Sequence, residues 1–192
     1  MKLIVATHNQ NKIKEIYEIL KESNIELVSL LDLNDHEDII EDGITYEENA
    51  FIKAKAIYDK YKSIVFADDS GIEITVLNDE PGVNSKRFSD GGDLGNNLKV
   101  LELLKNNENR EARFVCTICL YDGIKPLYFK GEVRGTISTE LRGTNGFGYN
   151  PIFIPEGYSE TLGELSVEIK DSISHRKNAL TKLSEYLKTN NL

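Results

Sequence analysis

The side chains best suited to chemistry fall in four short segments. The apolar run Ile64-Val65-Phe66-Ala67 gives way abruptly to Asp68-Asp69-Ser70-Gly71. Two adjacent carboxylates at a strand end repel unless a cation or hydrogen-bond donors stand between them. Mg²⁺ suits such a place, because it takes oxygen ligands and bridges carboxylate to phosphate. An Asx-capped turn would use the same residues for shape alone. Glu41 and Glu48 are further carboxylates, though Glu48 also completes a capping box with Thr45 and Glu41 also suits a solvated loop.

A second segment, Thr7-His8-Asn9-Gln10-Asn11-Lys12, lies between an expected strand and an expected helix. A helix N-terminus offers unpaired N–H groups and partial positive charge, and so binds anions. Lys12 in the first turn opposes that charge at a cost of roughly 0.3–1 kcal/mol, which a bound phosphate would reverse. Asn9 as an N-cap beside a solvated lysine is the simpler reading of the same residues. A third segment repeats the pattern: His175-Arg176 open the last helix after Ser174, with Lys170 upstream. The fourth is Gly143-Thr144-Asn145-Gly146-Phe147-Gly148-Tyr149-Asn150-Pro151. Its glycines permit close backbone approach to a ligand, and Phe147 and Tyr149 offer faces on which a base can stack. A tight loop between strands has the same composition.

The elements that must hold these segments follow from periodicity. Residues 2–6 and 26–30 predict short strands, and 9–21 a helix with Ile13, Ile16, Tyr17 and Leu20 on one stripe. An acidic loop carries Asp35, Glu37, Asp38, Glu41 and Asp42. Residues 45–61 predict a helix, 64–67 a buried strand ending at Asp68, 72–77 an extended run, and 94–105 another helix. Residues 113–121 and 127–137 predict long paired strands, and 174–187 the final helix. Early strand–helix alternation followed by long strands predicts a single α/β domain over 1–192, with a mixed sheet in two lobes around a cleft. Cys116 and Cys119 are spaced C-x-x-C, but on one strand they face opposite ways, which excludes a shared metal or a disulfide.

Composition narrows the partners. The 192 residues carry a net charge of −9, so the molecule as a whole repels nucleic acid and anionic membrane, and a polyanionic substrate needs a local cation cluster. No apolar run reaches the ~18 residues of a membrane span, and residues 1–6 are too short for a secretory signal. A soluble, cytosolic protein is expected.

Taken in order, these segments resemble the inosine triphosphate pyrophosphatase family, also called Ham1-like or dITP/XTP pyrophosphatases. The resemblance rests on Ala6-Thr7-His8-Asn9-Gln10-Asn11-Lys12, Glu41-Asp42-Gly43, Glu48-Asn49-Ala50 with Lys53-Ala54, and Ala67-Asp68-Asp69-Ser70-Gly71. It continues through Pro81-Gly82-Val83, Gly146-Phe147-Gly148-Tyr149-Asn150-Pro151-Ile152-Phe153, Glu164-Leu165, Lys170 and Ile173-Ser174-His175-Arg176. It implies an elongated α/β fold with a twisted mixed sheet flanked by helices, a substrate cleft between two lobes, and a homodimer. It implies Mg²⁺-dependent hydrolysis of ITP, dITP and XTP to the monophosphate and pyrophosphate. By position, Thr7, His8, Asn9, Gln10, Asn11, Lys12 and Lys53 would hold the phosphates. Asp69 would be the proton acceptor and, with Glu41 and Asp68, would bind the metal. Ser70 would touch substrate, and Phe147, Gly148, Tyr149, Asn150, Lys170, His175 and Arg176 would enclose base and sugar. Two positions depart from the usual pattern: His8 where many members have Gly, and Asn150 where many have Asp.

On this reading an N–H of His175 or Arg176 donates to the 6-oxygen of hypoxanthine or xanthine and is left unpaired against adenine's amino group. Such polar readout gives roughly 10⁴-fold rejection. A non-catalytic nucleotide sensor, a phosphohydrolase that releases single phosphates, and a protein-interaction domain are the rival readings.

Overall fold

The structure, a computed structural model, describes residues 2–20 and 25–190. Six strands form one mixed sheet in the order β2-β1-β3-β4-β5-β6. They are β1 (Lys2–Val5), β2 (Glu26–Ser29), β3 (Val65–Ile74), β4 (Glu111–Tyr121), β5 (Pro126–Ile137) and β6 (Phe153–Pro155). β1 pairs in parallel with β2 and β3, whereas β5 and β6 are antiparallel. Among the described residues five α-helices accompany them: α1 (Gln10–Leu20), α2 (Tyr46–Tyr61), α3 (Gly92–Leu103), α4 (Val167–Ser172) and α5 (His175–Thr189). The expected α/β class and mixed sheet are therefore observed.

The chain divides into two compact units, one of residues 1–69, 116–131 and 176–192, the other of 70–115 and 132–175. In the first unit, strand periodicity sorts residues to two separate cores. Leu3, Val5, Phe66, Cys116, Ile118 and Leu120 pack with Ile16 and Leu20 of α1 and with Ala179, Leu180, Leu183 and Leu187 of α5. Ile4, Ala6, Val65, Ala67 and Cys119 pack instead with Ala50, Ala54 and Ile57 of α2. Alternation at period 2 on the strands, and spacing of 3–4 on the helices, is the reason. Cys116 and Cys119 thus lie in different cores as free buried thiols, and burial pushes both up to about 12, leaving them inert. The second unit has one core, in which Ile72, Ile74, Phe114, Ile137, Tyr149, Ile152 and Phe153 pack with Val100 and Leu104.

Helix α2 begins as its sequence requires. The Thr45 side chain accepts from the Glu48 N–H, and the Glu48 carboxylate accepts from the Thr45 N–H in return. Helix α3 starts two residues before the expected 94, and the short α4 was not expected; Lys21 lies outside the described residues. The most consequential difference is at β3. The expected strand stopped at Ala67, but β3 runs on through Asp68-Asp69-Ser70-Gly71 to Ile74. Among the described residues, no helix is long and apolar enough to cross a membrane.

Candidate active site

Because β3 does not stop, Asp68 and Asp69 are neither a turn nor a pair facing one cation. Successive strand residues point to opposite faces. Asp68 follows the register of Phe66, toward α1 and α5; Asp69 follows Val65 and Ala67, toward α2.

On the first face, Asp68 is 3 % exposed and is held by cations. Lys12 Nζ donates to its Oδ2 at 2.8 Å, and Arg176 Nε approaches the same oxygen at 3.3 Å. Arg176 Nη1 also donates to Glu15 Oε2 at 2.5 Å. Burial opposes the Asp68 charge, but Lys12, Arg176 and then Lys53 hold its carboxyl far below the usual carboxylate range. The cations that open α1 and α5 are therefore compensated inside the protein. Their placement against the helix dipoles does not by itself require a bound phosphate.

On the second face, the balance at Asp69 falls the other way. Burial pushes its carboxyl above the ordinary value; Lys53 and the Asn49 amide pull it back, and Glu41 pushes it further up. Asn49 Nδ2 donates to Asp69 Oδ2 at 3.1 Å. Lys53 Nζ donates to the Asp68 carbonyl at 2.6 Å and pairs with Glu41 Oε2 at 2.8 Å. Burial works against the Lys53 charge, yet Asp68, Asp69 and Glu41 raise its proton affinity, so it is an ammonium. Glu41, Lys53 and Asp69 thus come together as expected, while the Asp68 carboxylate turns away and is occupied by Lys12 and Arg176.

The loop before α1 is shaped by its own side chains. Asn9 Oδ1 accepts from the N–H groups of Asn11 and Lys12, at 2.9 and 3.2 Å, so Asn9 is the N-cap. Thr7 Oγ1 accepts from the Asn9 N–H at 3.2 Å. The His8 ring, the departure from glycine, bonds through Nε2 to the Asp35 carbonyl at 2.8 Å. Asp35 is in turn fixed by Lys60 and Tyr61, each at 2.8 Å. Gln10 and Asn11 are exposed at the first turn of α1.

In the second unit, the glycine-rich loop is held from α3. Asp93 Oδ2 accepts from the Gly148 N–H at 2.7 Å, and Asn97 Nδ2 donates to the Gly148 carbonyl at 2.8 Å. Gly146 has φ +85°, and an added Cβ would run into the Asn150 amide and come within 3.3 Å of Lys170 Nζ. Gly146, Asn150 and Lys170 are therefore neighbours. Phe147 is 42 % exposed. Tyr149 is not an available stacking face: it is a core residue whose hydroxyl donates to the Ser85 carbonyl at 2.7 Å. His175 stacks on Phe114, with ring centroids 5.0 Å apart and planes at 13°. Ser70 is half-buried on β3.

Asn49, which the family pattern includes without a role, and Asp93 and Asn97 hold parts of the site that the sequence does not assign to them. Asn is a weak helix former, and Asn49 and the pair Asn96-Asn97 lie inside α2 and α3. Buried asparagines in helices are a readable sign that a side-chain amide is holding something else.

Known proteins resemble this chain over nearly its whole length. A model of the Ham1 family matches residues 3–186. A relative from Aquifex aeolicus, named dITP/XTP pyrophosphatase, is 47 % identical, with 98 % of this chain and 97 % of the relative aligned. One of the same name from Acholeplasma laidlawii is also 47 % identical, over 96 % of this chain and 92 % of the relative. The Ham1 protein of Staphylococcus aureus superposes with a TM-score of 0.90 at 37 % identity, covering 99 % of this chain and all of that one. That of Coxiella burnetii gives 0.92 at 37 %, covering 98 % and 99 %. Shared sequence across nearly every element, in the same three-dimensional arrangement, places this chain in the Ham1 family.

Proposed function

We propose that this protein hydrolyses non-canonical purine nucleoside triphosphates, dITP, ITP and XTP, between the α- and β-phosphates, releasing pyrophosphate and a nucleoside monophosphate. Relatives named dITP/XTP pyrophosphatase support the substrate class. The observation that carries the chemistry is Asp69: a buried carboxylate with raised proton affinity, beside Lys53 and Glu41.

Asp69 accepts the proton of the attacking water. Its raised proton affinity moves it towards the range where a general base works best. Lys12 and Lys53 bind phosphate oxygens and stabilise charge moving onto pyrophosphate. An ammonium has three N–H groups, so its bonds within the protein hold it in position and leave donor capacity for substrate. Residues 7–11 line the phosphate path, with the Gln10 and Asn11 side-chain amides as donors. Ser70 contacts substrate.

Mg²⁺ fits the donor set. Among the described residues no group of three or more His, Cys, Asp or Glu is gathered for a metal. Mg²⁺ is commonly held by one or two carboxylates together with substrate phosphates and water, and Glu41 and Asp69 supply two. When bound, it would neutralise phosphate oxygens and orient water. Asp68, engaged by Lys12 and Arg176, takes the role of holding those cations in place of a metal role.

For the base, Phe147 offers a stacking face, and Gly148, Asn150 and Lys170 surround base and sugar. Tyr149 anchors the loop from below. Arg176 is buried in its ion pairs, so the donor that reads the 6-oxygen is His175, oriented by Phe114. Residues 1–192 act as a single catalytic domain, in a cytoplasmic homodimer that neither spans a membrane nor binds nucleic acid; sedimentation checks the oligomer.

A panel of nucleoside triphosphates with Mg²⁺ tests the reading. Pyrophosphate from dITP, ITP and XTP is expected, with little from ATP and none in EDTA. Orthophosphate as the product, or equal rates on ATP, would overturn it.

A further inference from the structure

Asn49 is 1 % exposed and sits in the first turns of α2, beside the core alanines Ala50 and Ala54. Burying an amide there is unfavourable unless each of its ends is bonded, and Asn is a weaker helix former than the alanine that follows it. Both ends are bonded, and both partners belong to the proposed site. Oδ1 accepts from the Gly43 N–H at 2.9 Å; Nδ2 donates to Asp69 Oδ2 at 3.1 Å. The Gly43 N–H needs an acceptor and the Asp69 carboxylate needs a donor, so the orientation of the amide is set by its neighbours.

The Gly43 side of this bridge is rigid. The Ile44 and Thr45 N–H groups both go to Glu48 Oε2, at 2.7 and 3.2 Å. With Gly43, three consecutive N–H groups after Glu41-Asp42 are thus held by α2. Gly43 also packs so closely that an added Cβ would lie 2.7 Å from Glu48 Cβ and 2.8 Å from Asn49 Oδ1. The loop that carries Glu41 and the strand that carries Asp69 share a single amide.

We propose that Asn49 is a positioning residue: its side-chain amide fixes one oxygen of the Asp69 carboxylate and, through Gly43, sets the Glu41 loop against it. This rests on Asp69 being the base. The Asn49 amide occupies Oδ2, so the carboxylate is presented to water in one orientation. Such supporting contacts carry a large share of the precision of a reactive group.

Asn49→Asp separates this role from a structural one, because it keeps an acceptor for Gly43 and replaces the donor facing Asp69 with a carboxylate oxygen. For Asn49→Asp and Asn49→Ala, kcat and KM on dITP are measured separately, with folding followed by thermal melting. Both should lose kcat by about 10–100-fold with KM little changed. A wild-type kcat in Asn49→Asp would overturn the proposal and leave Asn49 as a loop clamp only. If the Asn49 variants do not fold, Gly43→Ala carries the test, since its Cβ displaces the same amide: the same loss of kcat is expected, and an unchanged kcat overturns the proposal. Asp69→Asn, assayed alongside, separates the two failures. If it is inactive while the Asn49 variants are not, the positioning role alone falls; if it turns over normally, the base assignment falls first.

Discussion

The two faces of β3 treat identical side chains in opposite ways. Asp68 faces α1 and α5 and meets Lys12 and Arg176, which over-compensate the cost of burying it. Asp69, one residue on, faces α2 and meets an amide, a shared lysine and a second carboxylate, and burial wins. The first is a fixed anion that organises cations; the second is a carboxylate that gains from taking a proton. A strand needs no turn or loop to achieve this, because its pleat alone puts neighbours in different chemical surroundings.

Conversion of each aspartate to asparagine is the sharpest way to break this comparison. Asp69→Asn should reduce dITP turnover by about 10²–10⁴-fold, the range of a lost general base, while nucleotide still binds and the melting temperature does not fall. Turnover near the wild-type rate would show that the two faces do not differ in function. Asp68→Asn should do the reverse in emphasis. It leaves the half-buried Lys12 and the buried Arg176 without their shared anion, and removing one partner of a buried ion pair costs about 3 kcal/mol or more. Denaturant unfolding measures it. Equal stability of the two variants would mean that the Asp68 network is not the structural member of the pair.

The same periodicity explains what was legible beforehand. The strand over Cys116 and Cys119 was readable because its run is apolar throughout, and alternation then separated the thiols correctly into two cores. The run over Asp68 and Asp69 changes from apolar to acidic, which imitates a strand end and hides the alternation that continues through the carboxylates. Glu41, Lys53 and Asp69 were identifiable by type and by family pattern, and they do assemble. Asn49 stood in the family pattern without a role, and Asp93 and Asn97 stood outside it, because the task of all three is to hold backbone or another side chain, and a lone polar residue in a helix names no partner. The loop 143–151 showed its glycines, but not that Tyr149 is core while Phe147 is exposed; both are aromatic, and only packing separates them.

The smallest expected effect is also the most specific: the two aspartates should tilt acid stability in opposite directions. An unfolded Asp titrates near 3.9. The folded value of Asp68 lies below that, so its ionised form stabilises the fold above the unfolded value, and this contribution is lost as pH falls towards the folded value. The folded value of Asp69 lies above it, so the protonated form is favoured by folding. Its contribution is present below the unfolded value and is lost as pH rises through the folded one. Stability rises with pH where the unfolded state binds more protons, which is the Asp68 case, and falls with pH in the Asp69 case. Melting curves without Mg²⁺ and nucleotide, taken from pH 7 down through pH 3, should therefore show a shallower acid loss in Asp68→Asn than in the wild type. In Asp69→Asn the acid loss should be steeper, because the counteracting group is gone. Parallel profiles for the two variants would mean that the two faces of β3 impose the same electrostatic environment, and the distinction between a structural and a reactive aspartate would fail with it.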